Sequence, residues 1–228
     1  MRATLARRAV AELLGTAFLL AAVVGSGIAA SRLSPHDRGL ELLENSIATG
    51  AALAALILAL HPVSAAFNPV VTMAEVILDR LAPADAAVLI GSQVAGAALG
   101  AVVANVMFGL DPVAWSSTTR GGGGHGLGEV VATLGLVLVV FGAARTGRVE
   151  PLALAVGGYI AAAYWFTSST SFANPAVTVA RALSDTFAGI APSSVPGFVL
   201  AQIAGGGLGV AAVGYLFPRR TPLPEVVE

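Results

Sequence analysis

Asn68-Pro69-Val70-Val71-Thr72-Met73-Ala74 and Asn174-Pro175-Ala176-Val177-Thr178-Val179-Ala180 are two versions of one heptapeptide, set in different halves of a 228-residue chain. Each reads as the start of a helix, because Asn is a good N-cap and Pro is favoured at the first helical position. The likeness extends outward from both copies. Asp79 and Asp185 stand at matching distances after their Asn. Upstream, Glu12 and Thr16 are echoed by Glu129 and Thr133; downstream, Gln93-Val94-Ala95-Gly96 with Leu99-Gly100 is echoed by Gln202-Ile203-Ala204-Gly205 with Leu208-Gly209. Matches in the same order make the chain two related halves, near 1–115 and 116–228.

Composition says where such a chain lives. It is 56% hydrophobic and 11% charged, against roughly 25% charged for a soluble domain, which leaves too little charge to cover a globule in water. Apolar runs at about 9–30, 40–61, 84–109, 127–144, 151–167 and 196–217 are each near the length of a membrane span. The stretches 68–80 and 174–187 are too short and polar to cross, and read as half-helices. Arg2, Arg7 and Arg8 before the first run resemble a secretory leader, but Glu12 inside that run and the run's length favour a spanning helix. A net charge of −1 supplies no basic surface for nucleic acid, and the absence of cysteine excludes disulfides and thiolate chemistry. The expected fold is one all-α membrane domain over 1–228, with six spans and two half-helices, and the lipid bilayer is its first partner.

Three spans per half is an odd number, so the second half runs upside down relative to the first. The Arg bias sets the orientation. With the N-terminus inside, Arg2, Arg7, Arg8, Arg80, Arg145, Arg148, Arg219 and Arg220 are cytoplasmic and Arg32, Arg38, Arg120 and Arg181 external, so both termini are expected in the cytoplasm. Inverted broken helices bring two helix N-termini together at the midplane. Each carries on the order of half a positive elementary charge, a barrier to cations and hydrated protons. A neutral polar solute would instead meet the amide donors of Asn68 and Asn174, with loops 61–67 and 168–173 supplying carbonyls, since irregular backbone at that depth has to line a cavity or be buried in protein.

The paired Asn-Pro motifs, the opening Glu12-Leu13-Leu14-Gly15-Thr16 and the Gln-x-x-Gly signatures resemble the aquaporin, or major intrinsic protein, family over about residues 9–217. The resemblance implies six tilted helices with two half-helices, a pore within each protomer of a homotetramer, no metal or cofactor and no enzyme activity, in the cell's inner (plasma) membrane. It marks Asn68, Pro69, Val70, Asn174, Pro175 and Ala176 as the pore motifs, with Val70 standing where the family usually has Ala. Four further positions carry over as a selectivity filter. Val177 follows Asn174-Pro175-Ala176 where an Arg is usual; Ser171 and Ala162 fall at the loop and fifth-helix positions by ungapped counting from Asn174. The second-helix position is Thr49, or Ala48 if no gap is allowed. Thr, Ala, Ser and Val imply a wide, weakly polar filter, similar to that of aquaglyceroporins in bacterial arsenic-resistance operons. Arsenous acid and glycerol-like solutes, passing with water, are the expected cargo, with an orthodox water channel as the alternative.

Charged and nucleophilic residues leave further readings open. Glu75 and Arg181 occupy matching repeat positions, and Arg181 lies one turn beyond Val177. Arg181 is either a displaced vestibular cation mirrored by Glu75 or the partner of Asp185 in an i,i+4 ion pair. Glu12 and Glu129 would brace the pore loops, as the family resemblance implies, or act as a proton relay in a coupled transporter. His61 near the inner mouth is a candidate pH gate or a structural residue. With Ser64 it could be read as an intramembrane hydrolase pair, although Pro62 intervenes and no third catalytic member is visible. The run Gly121–Gly124 with His125 and Gly126 lacks the Lys-Ser/Thr of a phosphate loop and is expected as an outer loop. Trp115, Tyr159, Tyr164 and Trp165 are expected as interfacial or packing aromatics.

Overall fold

The computed structural model describes residues 3–78 and 80–217; Arg2, Asp79, Arg219 and Arg220 lie outside them. Within this range the chain is all-helical: α1 (Leu5–Leu33), α2 (Arg38–Leu60), α3 (Pro69–Ile77), α4 (Pro83–Met107), α5 (Gly123–Ala143), α6 (Val149–Phe166), α7 (Pro175–Arg181) and α8 (Val195–Leu216), with short 3-10 turns at Ala144–Thr146 and Pro192–Ser194. Six of these helices are long and apolar enough to cross a membrane. The two half-helices, α3 and α7, start where the Asn-Pro signal puts them. In each, the Asn side chain accepts a hydrogen bond from a first-turn N–H, which satisfies a donor that no helical carbonyl can reach.

Two local expectations need correction. Residues 182–187 do not extend the second half-helix, because α7 stops at Arg181 and the chain turns. The glycine run is only partly a loop. Gly122 takes a positive φ of 92° and α5 begins at Gly123, so the last glycines already belong to a span.

Successive spans cross in alternate directions, so α1, α4 and the α5–α6 turn share what we call the N-terminal face. Arg8 pairs with Asp85 there at 3.8 Å, and Arg145 Nη2 donates to the Phe217 carbonyl at 3.0 Å. On the far face, the 110–122 loop lies over the exit of α7. Ala114 and Ser116 N–H groups donate to the Leu183 and Ala182 carbonyls, and Ala191 N–H donates to the Thr118 carbonyl.

Lipid tails are as apolar as leucine, so helices in a membrane associate through close packing rather than by escaping water. The glycines of the Gln-x-x-Gly signatures allow it. A Cβ on Gly96 would strike the Leu13 carbonyl of α1, and one on Gly205 would strike the Val130 carbonyl of α5. Between α2 and α6, Gly50 and Gly157 face each other's carbonyls. The bulk of Val70 is met in the same way. Its side chain is buried against Gly206 of α8, away from the centre of the molecule, with no room for a Cβ on that glycine. Gly206→Ala is expected to destabilise the protein by about 1–3 kcal/mol through overpacking, and Val70→Ala in the same chain should recover most of that loss. Thermal melts of the detergent-solubilised single and double variants measure both effects.

Candidate functional site

At the centre of the molecule the two half-helices meet tip to tip and hold each other's loops. Asn68 Nδ2 donates to the Ala173 carbonyl at 2.7 Å, and Asn174 Nδ2 donates to the Phe67 carbonyl, also at 2.7 Å. Each Asn Oδ1 meanwhile caps its own helix, accepting from Val70 N–H in one copy and from Ala176 and Val177 N–H in the other. A carboxamide has two N–H donors. One is spent on the opposite loop, and the second is left for whatever occupies the cavity.

This exchange requires unusual backbone. Phe67 and Ala173, the residues just before the two Asn, both take left-handed conformations at φ 49° and 50°, as do Thr170 and Ser171 at φ 60° and 48°. Such residues cost on the order of 1–3 kcal/mol each and persist only where the surroundings over-determine them. Here two buried carboxylates do so. Glu12 Oε1 accepts from Ser64 Oγ at 2.6 Å and from Ala66 N–H at 2.9 Å; its Oε2 accepts from Phe67 N–H at 2.7 Å and from Gln93 Nε2 at 2.9 Å. Glu129 repeats the pattern, taking Phe172 N–H on Oε1 and Ala173 N–H and Gln202 Nε2 on Oε2. Gln93 and Gln202 also donate to Thr72 and Thr178, so each carboxylate is tied to the half-helix below it as well as to the loop. Ser64 therefore spends its hydroxyl on Glu12, which removes the observation behind a hydrolase reading.

A narrow cavity runs past the two Asn. Four spans contribute side chains to its wall at intervals of one helical turn: Leu19 and Val23 of α1; Thr49, Leu53 and Ile57 of α2; Leu136 and Val140 of α5; Leu152, Val156, Ile160 and Tyr164 of α6. The re-entrant segments close it with Ala65, Ala66, Phe67 and Val71 from one half and Ser171, Phe172 and Val177 from the other. Apart from the Asn pair, polar atoms gather toward the far face, where Tyr164 Oη donates to Thr49 Oγ1 at 3.3 Å.

Of the four positions expected as a filter, Thr49, Ser171 and Val177 line the cavity and Ala162 does not. Ala162 is exposed. It lies two residues from both Ile160 and Tyr164, which at about 100° per residue places it on the opposite side of α6. The ungapped count from Asn174 lands between Ile160 and Tyr164, both of which line the wall; Tyr164 was expected as a packing aromatic. It continues the i,i+4 series Leu152, Val156, Ile160, which in sequence alone is indistinguishable from a lipid-facing stripe. Of the second-helix pair, Thr49 lines the cavity and Ala48 does not.

The charged candidates separate. Arg181 is buried and lines the cavity; it forms no ion pair with Asp185, because α7 has already ended and Asp185 instead accepts from Ser117 N–H and Oγ. Glu75, half-buried near the N-terminal face, and His61, exposed at the end of α2, are both outside the cavity wall.

The family model for the major intrinsic proteins matches residues 1–151, and over 220 residues the chain is 46% identical to aquaglyceroporin AqpS of Rhizobium meliloti, covering 96% of this chain and 94% of that one. The chain belongs to the major intrinsic protein family. Its fold is also that of the aquaglyceroporin of Plasmodium falciparum, at a TM-score of 0.71 and 18% identity over 92% of this chain and 96% of that one. As a major intrinsic protein it is a multi-pass membrane channel, not an enzyme. Glu129→Gln, which replaces an acceptor-only carboxylate by a group with one acceptor oxygen, should leave one loop N–H unpaired and cost about 1–3 kcal/mol. A lower melting temperature, together with reduced solute flux in vesicles, is the expected outcome.

Proposed function

We propose that this protein is a passive channel for small uncharged solutes, glycerol-sized polyols and arsenous acid among them, with water, and that it excludes ions and protons. The carrying observation is the reciprocal Asn68–Asn174 pair in a largely aliphatic wall. A solute rich in hydroxyls accepts from the two remaining amide N–H groups at the midplane, while its carbon or metalloid core slides along Leu, Ile and Val side chains. The wall is mostly aliphatic and brings no carboxylate to a cation, and two helix N-termini face it with positive potential. The name of the AqpS relative supports solutes larger than water. Asn68, Pro69, Val70, Asn174, Pro175 and Ala176 form the central motifs of this reading, with Thr49, Tyr164, Ser171 and Val177 around the solute toward the far face and Glu12 and Glu129 as braces of the loops.

The same reading makes the chain a single membrane domain of two inverted repeats, near 1–115 and 116–228, supported by the matching contacts of Glu12 with Gln93 and Glu129 with Gln202. It places the protein in the plasma membrane as a homotetramer with both termini cytoplasmic. Arg7, Arg8, Arg80, Arg145 and Arg148 on the N-terminal face support that orientation.

A second reading, an orthodox water channel, has Tyr164 behind it: an aromatic ring stands in the wall where the sequence alone suggested alanine. Stopped-flow permeability of proteoliposomes separates the two. Glycerol and arsenous acid should equilibrate well above the rate of empty liposomes, with no dependence on an imposed proton gradient. Flux of water alone would favour the narrower channel, and gradient-driven accumulation would overturn passive transport altogether.

A further inference from the structure

Arg181 is the one cavity-lining cation among the described residues, and it has no carboxylate partner there. Arg8 pairs with Asp85 and Arg38 with Glu41, both away from this cavity wall. Arg181 as a residue is 2% exposed, a setting in which an unpaired charge is expensive and therefore needs other support. That support comes from two sides. Nε donates to the Ala188 carbonyl, and the guanidinium carbon lies 3.5 Å from the centroid of the Phe172 ring. Phe172 is itself held through its N–H by Glu129 Oε1, and Arg120, anchored to the Gly189 and Phe187 carbonyls, lies 5.2 Å from the same ring. Ring and carbonyl hold the guanidinium in place without neutralising it. Its Nη groups have no hydrogen-bonded protein acceptor among the described residues, although a guanidinium carries four N–H donors there.

We infer that Arg181, rather than the residue at 177, is the specificity-determining cation at the far end of the pore. The inference rests on the channel reading above and assigns its selectivity. Val177 stands one turn closer to the Asn pair and offers only methyl groups. Arg181 offers fixed positive charge and Nη donors without a hydrogen-bonded protein acceptor among the described residues, and the Tyr164–Thr49 pair belongs to the same cavity wall. A solute passing here gives up water hydrogen bonds and recovers them from guanidinium N–H groups through its hydroxyl oxygens. A sodium or hydronium ion meets like charge in a water-poor passage, where screening is weak.

The test compares wild type, Arg181→Gln and Arg181→Lys in proteoliposomes, reading cation and proton leak with interior dyes under a clamped potential and ranking polyols of increasing length. Arg181→Gln should raise the leak by on the order of tenfold and flatten the polyol ranking. Arg181→Lys, which keeps the charge but not the planar fork, should hold the leak low and still change the ranking. In the double variant Val177→Arg with Arg181→Gln, a guanidinium one turn nearer the Asn pair should restore cation exclusion. Leak and ranking unchanged in a folded Arg181→Gln protein overturn the inference. If that variant does not assemble in detergent, an unchanged ranking in Arg181→Lys overturns it. A wild type that conducts no solute at all sinks the channel reading instead, so the two failures are told apart.

Discussion

Two non-helical segments meet at membrane depth, and the peptide N–H groups of those segments have to be paired in a place where water is scarce. That constraint governs the rest of the molecule. Glu12 and Glu129 meet it by presenting acceptor-only carboxylates to the N–H groups of Ala66, Phe67, Phe172 and Ala173. Taking carboxylates into the protein is costly unless their lone pairs are filled. Ser64, Gln93 and Gln202 fill the remaining sites, and the two Gln pass the connection on to Thr72 and Thr178 at the half-helices. With the loops pinned from behind, Phe67 and Ala173 can stay left-handed and offer their carbonyls to the opposite Asn.

The spans are arranged to let these polar braces work. Gln93 and Gln202 reach the carboxylates because α4 lies against α1 and α8 against α5 at backbone contact, with Gly96 and Gly205 at the crossings. The polar brace and the glycine that permits it stand three residues apart on the same helix, in both halves. The same set of contacts thus occurs twice: carboxylate, glutamine, threonine, glycine and capped half-helix together. Two such units facing each other produce a cavity whose polar centre is rigid and whose aliphatic walls hold solute weakly, a combination that favours passage over retention.

The halves are not equivalent where they reach the surface. Glu75 and Arg181 occupy matching positions, yet Glu75 is outside the cavity wall and Arg181 is within it, stacked on Phe172. Ala66 is the counterpart of Phe172 in the first half, so no ring is available there to carry a cation. Asymmetry of the two mouths therefore comes from side chains at equivalent positions on a symmetric frame.

The spans, the half-helix starts and the carboxylate contacts to the loops were legible in the chain itself, because each depends on residue types with a narrow physical role. Asn-Pro begins a helix, a Glu within an apolar span demands donors, and Gly marks close approach. The identity of the far-end wall was not legible. Both the cavity side and the lipid side of α6 are apolar, so the series Leu152, Val156, Ile160, Tyr164 looks no different from a lipid-facing stripe until neighbouring helices enclose it, and a count through the loop selected Ala162 on the opposite side. Arg181 likewise carried two readings until the end of α7 removed the helical geometry that an ion pair with Asp185 requires. Sequence by itself determined which groups must be satisfied inside the membrane; tertiary structure decided which side chains face the cavity, because rotation of a helix about its axis is set by contacts with its neighbours.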